Sequence, residues 1–191
     1  LHDVAKPQTR SVDADGRVRF LGHADAGAAT AAAVARRYRL SSREQHWLAT
    51  LVREHLRPVQ LAAIGEVPTR RALYRFHRDL GDAAGAVLLL SLADAAAARG
   101  PGLTSAGWQR HVRFMNSVLV RSREDEGILH PPRLLTGRDI MSEFGLPEGP
   151  RIGRLLDAVA EAQGAGEVTD KDGALAFVRA LAQDEEDGNG H

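Results

Sequence analysis

His2 and Asp3 open the chain as an adjacent pair, and His23, His55 and Asp94 follow at intervals through a sequence whose patterning is helical. Three imidazoles and two carboxylates make a candidate metal site. Mixed nitrogen and oxygen donors without thiolate suit divalent cations, including those that act on phosphate esters. Taken singly, most of these residues have an ordinary structural reading: His55 a satisfied core histidine, His23 a helix cap, His2-Asp3 a chance doublet. Asp94 is harder to dismiss. It sits within Leu88-Leu89-Leu90-Ser91-Leu92-Ala93-Asp94-Ala95-Ala96, where every helical face around it is apolar or small. A carboxylate there needs an arginine, a helix end or a metal. A structural ion pair is the ordinary answer for one such aspartate, and the histidines elsewhere in the chain shift the balance toward a metal.

The elements that must position these residues are helices. Ser41 and Glu44 form a capping box, after which Trp47, Leu48, Leu51, Val52 and Leu56 repeat at the spacing of one helical face. His55 falls on or beside that stripe, whereas His46 points away from it. An Ala-rich helix begins near His23. A further helix is expected over 69–80, with Leu73, Phe76 and Leu80 inward and Arg71, Arg75 and Arg78 aligned on another face. Helices over 83–99, closed by Gly100-Pro101, and over 105–126, carrying Trp108, Val112, Met115 and Leu119, follow. No strand pattern competes. Asp13-Ala14-Asp15-Gly16 is a turn, since the further ligands that a calcium loop requires are absent.

Leu129-His130-Pro131-Pro132-Arg133 cannot be regular helix and reads as a linker into a second helical unit. That unit holds three short helices, over 136–144, 150–162 and 169–182. The expected organisation is therefore all-α: a metal-binding helical domain over 1–126, a small C-terminal helical unit over 127–183, and a disordered acidic tail over 184–191.

The 191 residues carry no net charge, yet the signs are segregated. Ten arginines between Arg36 and Arg78 face only Glu44, Glu54 and Glu66, while twelve acids between Asp139 and Asp187 face Arg151, Arg154, Lys171 and Arg179. A basic stretch concentrates phosphate ligands, and arginine grips phosphate oxygens with two donors at once; a solvated helix face is the equal alternative. Arginine outnumbers lysine 23 to 2, so part of the excess follows from genomic bias. The absence of cysteine excludes a disulfide framework and a thiolate zinc site. No membrane partner is expected, because the apolar run 83–98 is interrupted by Gly85, Ser91 and Asp94 in the manner of a core helix, and a soluble cytoplasmic protein is the expectation. The chain starts at Leu1 rather than methionine, which reads as the start of a fragment.

Four segments carry a resemblance: Leu1-His2-Asp3-Val4-Ala5-Lys6-Pro7, Gly16-Arg17-Val18-Arg19-Phe20-Leu21-Gly22-His23, Leu51-Val52-Arg53-Glu54-His55-Leu56-Arg57-Pro58 and Ser91-Leu92-Ala93-Asp94. They resemble the HD superfamily of metal-dependent phosphohydrolases. More narrowly, they resemble the HD region of bacterial tRNA nucleotidyltransferases, the CCA-adding enzyme and poly(A) polymerase family. Arg70-Arg71-Ala72-Leu73-Tyr74-Arg75-Phe76, Leu134-Leu135-Thr136-Gly137-Arg138-Asp139-Ile140-Met141 and Gly149-Pro150-Arg151-Ile152-Gly153 extend the likeness nearly to the acidic tail. Two departures stand out: Ala5 occupies a position where the family has glycine, and the family's first histidine ligand would lie before residue 1.

The resemblance implies an HD-type helical fold in which His2, Asp3 and Asp94 hold a divalent metal, with His23 and His55 extending the site toward a second. Mn, Ni, Fe and Mg are the expected ions. Lys6 would face the substrate phosphate as the catalytic cation. Arg57, Arg71, Arg75 and Arg78 are the candidates for contacts to RNA phosphates, which position a strand without reading its sequence. None of the family's nucleotide-transferring head is present, so nucleotidyl transfer is not expected of this chain alone. Three functions remain in view: a phosphohydrolase module acting on cyclic or terminal phosphates of nucleotides or RNA, a catalytically silent body that binds tRNA or other RNA, and a structural helical scaffold.

Overall fold

The computed structural model describes residues 1–124 and 132–188. Its described residues are mostly helical and divide into two compact units, one formed by 1–68 with 79–119, the other by 69–78 with the chain from 120 onward. Along the sequence run a short hairpin, β1 (Ser11–Val12) and β2 (Val18–Arg19), then α1 (His23–Arg37), α2 (Ser42–Glu54), α3 (Arg57–Ile64), α4 (Arg70–Leu80), α5 (Ala84–Arg99), α6 (Ser105–Glu124), α7 (Gly137–Phe144), α8 (Pro150–Ala165) and α9 (Lys171–Gly188). The all-α expectation is met apart from β1 and β2, which pair antiparallel with Ser11 opposite Arg19 and Val12 opposite Val18. The turn between them is the Asp13–Gly16 segment. Asp13 Oδ1 accepts from the main-chain N–H groups of Asp15 and Arg17, and Oδ2 accepts from Arg19 Nε at 3.0 Å, so this carboxylate builds a turn and not a cation loop.

The first unit is organised by an α1–α2 helical hairpin. Ser41 caps α2 in the expected way: its hydroxyl accepts from the Glu44 N–H, and its own N–H donates to Glu44 Oε2 at 2.7 Å. A link this short forces α1 and α2 to run antiparallel. Small residues then let their axes approach, with Ala28, Ala31 and Val52 fully interior and Leu48 and Ala49 at the margin. Pro58, in the first turn of α3, starts a new helix two residues beyond the end of α2. Neither α3 nor the exposure of Trp47, about two-fifths of whose surface meets solvent, follows from the sequence pattern.

In α6 the buried face is Phe114, Met115, Val118 and Ser122, while Val112 and Leu119 are more than a third exposed. Of the four apolar residues by which the sequence marks this helix, Trp108, Val112, Met115 and Leu119, only Met115 is fully buried. Both stripes obey helical spacing, and an apolar residue on either satisfies the pattern. The stretch Arg70–Ala98 is long and apolar enough, by length and composition, to cross a membrane. A 3-10 turn over Gly81–Ala83 interrupts it, and Leu73, Phe76, Val87 and Leu88 are buried within the protein, as core helices require.

The second unit has its own core: Leu135, Ile140, Ile152, Leu155, Val159, Ala162, Val168, Ala174 and Val178. Thr136 and Asp139 form a capping box at α7, and left-handed Gly145 and Gly166 close α7 and α8. The expected boundary at 126/127 lies outside the described residues, as do 129–131 of the expected linker. The second compact unit groups 69–78 with the chain from 120 onward, so helices from both sides of α5 in sequence contribute to it. Helix α9 continues to Gly188, so the backbone of 184–188 is helical where the acidic composition predicts an unstructured tail. Extending an anchored helix costs far less than nucleating one, and Gln183 to Glu186 are mostly competent helix formers. Residues 189–191 lie outside the described residues.

Candidate metal centre

All five metal candidates meet in the first unit. His2 and Asp3 sit in a tight N-terminal turn segment, where the Lys6 N–H donates to the Asp3 carbonyl at 3.0 Å and Thr9 donates to Ala5 through both its N–H and its hydroxyl. His23 is the first residue of α1, and His55 directly follows the last residue of α2. The antiparallel hairpin therefore brings the start of one helix beside the end of the other. Asp94 comes from the middle of α5. Gly27 on α1 permits the close approach of the N-terminal segment: a Cβ there would stand 3.1 Å from Val52 Cγ1, 3.6 Å from the His2 carbonyl oxygen and 3.8 Å from Ala5 Cβ. Ala5 itself is fully buried.

The cluster has an inner and an outer half joined by Asp3. Inside, Asp3 Oδ1 is 3.5 Å from His23 Nε2 and 3.9 Å from His55 Nε2, and the two Nε2 atoms are 3.3 Å apart. Outside, Asp3 Oδ2 is 3.3 Å from His2 Nε2, which lies 3.4 Å from Asp94 Oδ1. His23 and His55 are buried, whereas His2, Asp3 and Asp94 remain about a third open to solvent. Each triad, Asp3-His23-His55 and His2-Asp3-Asp94, keeps its donor atoms within 4.8 Å of one another. The apolar neighbours of Asp94 in sequence thus do not enclose its carboxylate, which is half-buried and faces a histidine.

The inner imidazoles are pre-oriented. His23 Nδ1 donates to the Phe20 carbonyl and His55 Nδ1 to the Val52 carbonyl, both at 2.7 Å. A carbonyl can only accept, so each ring's Nδ1 carries its proton and its Nε2 is turned toward the other ring and toward Asp3. Burial, assisted by His2 and His23 against the opposing pull of Val52 and Asp3, lowers the His55 pKa. Asp3, His23 and His55 form a group that could hold a metal ion. Ligands about 2.1 Å from one ion and roughly tetrahedral lie about 3.4 Å apart, which matches the spacing of the inner triad. The donor set and its geometry fit a divalent metal, and Asp3 is placed to serve both halves.

Lys6 lies at the outer edge, with Nζ 2.6 Å from Asp3 Oδ2 and 5.7 Å from the centre of the Phe20 ring. Burial would raise the Asp3 carboxyl, but the Lys6 hydrogen bond, with the nearby charges of His2, Lys6 and His55, outweighs it and holds Asp3 below its ordinary range. Beside His23 opens a cleft of about 540 Å³ lined by residues that include Phe20, Gly22, Arg19, Arg53 and Arg57. Nothing in the sequence distinguishes Arg19 and Arg53 from neighbouring arginines, and only the fold places them at this cleft.

The four expected phosphate arginines are divided between the two units. Arg57, only 21% exposed, pairs with Asp79 at 2.7 Å and Glu54 at 3.3 Å in the first unit. Arg71, Arg75 and Arg78 belong to the second unit and share Glu161, at 3.5, 2.6 and 3.6 Å, with Arg71 also bound to Glu167 at 2.7 Å. Their alignment on α4 is real, and it holds an acid of α8.

No protein-family model matches the chain. Among curated proteins it is 38% identical over 185 residues to the A-adding tRNA nucleotidyltransferase of Deinococcus radiodurans, covering 96% of this chain and 41% of that protein. It is also 38% identical over 181 residues to the CC-adding tRNA nucleotidyltransferase of Thermus thermophilus, covering 93% of this chain and 38% of that protein. The chain thus spans about two-fifths of the length of the relatives it matches.

Proposed function

We propose that this chain is a metal-dependent phosphohydrolase module of the HD type, acting on cyclic or terminal phosphates of nucleotides or RNA. The observation that carries the reading is the convergence of the His23 and His55 Nε2 atoms on Asp3 Oδ1, three metal-ligand types whose donor atoms lie within 4.8 Å of one another. His2, Asp3 and Asp94 would hold one ion, and Asp3, His23 and His55 a second. The chemistry that a divalent ion held by these residues would supply is the acidification of a bound water and the polarisation of a phosphoryl oxygen. Lys6 would offset charge on the phosphate from the open side. The carbonyl hydrogen bonds of the two buried imidazoles hold the inner donors in place.

Metal content of the purified chain, measured by inductively coupled plasma mass spectrometry after loading with Mn, Ni, Fe or Mg and desalting, tests the site. Hydrolysis of 2',3'-cyclic nucleotides tests the reaction. Metal retained by the native chain and lost in Asp3→Ala supports the reading; an inability to retain any of the four ions defeats it.

The similarity to enzymes named for adding nucleotides to tRNA favours a second reading, a catalytically silent body that binds tRNA or another RNA. Under it, RNA binds in a salt-sensitive manner while cyclic and terminal phosphates are left intact, even in the metal-loaded protein.

A further inference from the structure

The end of the α1–α2 hairpin remote from the metal candidates carries Arg36-Arg37-Tyr38-Arg39, all exposed, with Arg43 in the first turn of α2. Among the described residues no carboxylate pairs with Arg36, Arg37 or Arg39, in contrast to Arg43, which meets Asp82, and to Arg53, Arg57, Arg71, Arg75 and Arg78, each of which meets an acid. Tyr38 leaves 75% of its surface in solvent. The backbone is fixed at this point: the Arg39 N–H donates to Arg36 and the Leu40 N–H to Ala35, and Arg39 adopts a left-handed conformation with φ 58°. Glycine or asparagine is the usual residue there. Compensation of the α1 dipole accounts for one or two cations in the last turn, but not for a third beyond it or for a bare aromatic among them.

We propose that this tip is a binding site for single-stranded RNA, with Arg36, Arg37 and Arg39 on backbone phosphates and Tyr38 stacking on a base. Guanidinium groups interleaved with an exposed ring provide the two interactions that hold a single strand without sequence readout. The placement along the hairpin supplies a direction. His23 and His55 mark one end and Arg36 to Arg39 the other, separated by the length of α1, about 22 Å for its fifteen residues. A strand gripped at the tip and laid along the hairpin would reach the metal end with its terminal phosphate. Binding at the tip stands apart from the phosphohydrolase reading; the direction of the strand rests on it.

The test uses the full chain and a short fluorescein-labelled single-stranded RNA, with binding followed by fluorescence anisotropy across a salt series. The triple variant Arg36→Ala/Arg37→Ala/Arg39→Ala is expected to bind at least tenfold more weakly at low salt, and to lower the slope of log K against log salt by about 2, the value for three single-strand phosphate contacts. Replacing the same three by lysine should restore most of the slope. Tyr38→Ala should weaken binding about fivefold or more with the slope unchanged. Metal content and hydrolysis of a mononucleotide 2',3'-cyclic phosphate should match the native chain in all three. RNA affinity unchanged in the alanine triple, or no RNA binding by the native chain, overturns the proposal. So does a triple variant that loses only its attachment to phosphatidylserine vesicles. If the native chain hydrolyses nothing but the RNA results are as expected, the tip stands and the phosphohydrolase reading falls.

Discussion

The Nε2 atoms of His23 and His55 face each other at 3.3 Å, although each ring has already given its Nδ1–H to a main-chain carbonyl. Two ring nitrogens this close, with Asp3 Oδ1 within 4 Å of both, are a possible metal-binding cluster. Removing one of them should weaken metal retention without unfolding the protein. His55→Ala and Asp3→Ala are each expected to lower metal affinity about 100-fold or more, with Asp3→Ala the more severe because it serves both triads. Competition with a chelator, followed by mass spectrometry of the retained metal, reads this directly. Equal retention in the native chain and in Asp3→Ala would remove the site.

Gly27 links packing to that site. The wall of Val52, the His2 carbonyl and Ala5 leaves no room for a branched side chain. Gly27→Val should displace the His2-Asp3 segment from α1 and lose metal affinity, while costing about 1–3 kcal/mol in stability from overpacking. Urea denaturation combined with metal analysis separates the two effects. Preserved affinity would show that the N-terminal segment does not depend on this contact.

Glu161 gathers Arg71, Arg75 and Arg78 in the second unit. The hydrogen bond from Arg75 holds its carboxyl below the ordinary value of 4.5, with Arg71 and Arg78 adding to the effect against burial. A carboxylate with a depressed folded pKa binds fewer protons folded than unfolded. Its stabilisation is therefore present above pH 4.5 and is lost as pH falls through the lower folded value. Glu161→Gln should cost about 1–3 kcal/mol at neutral pH and flatten the acid limb of the stability profile, as measured by urea denaturation over a pH series. An unchanged acid limb would mean that other groups govern it.

Gly164 on α8 faces Tyr74. A Cβ there would lie 2.5 Å from Tyr74 Cγ and 2.8 Å from its Cβ, closer than such atoms approach. Gly164→Ala is expected to destabilise the second unit by about 2 kcal/mol or more, despite the better helix propensity of alanine, and to lower the thermal midpoint. A Gly164→Ala protein as stable as the native one would contradict the packing described.

Helical periodicity and capping chemistry are local, and both are legible in the order of residues. Ser41 with Glu44 and Thr136 with Asp139 cap the helices that their spacing predicts, and Leu73, Phe76 and Leu80 are interior. The five metal candidates follow from residue type and context, and they do converge. The face that α6 buries is not legible, since either of its apolar stripes satisfies the same spacing. Nor is the fate of the arginines: Arg71, Arg75 and Arg78 share a stripe by sequence, but Glu161, more than eighty residues away, is what they meet.

The sequence by itself determined the all-α class, most helix positions and the donor types available for chemistry, because hydrogen bonding within a helix, capping and apolar periodicity act over a few residues. Tertiary structure alone decided that Asp3 is shared by two triads, that Asp94 lies half open beside His2, and that Arg36, Arg37 and Arg39 stand apart from acids. Those outcomes depend on how close residues distant in the chain come in space, and spacing along one strand of sequence carries no such distances.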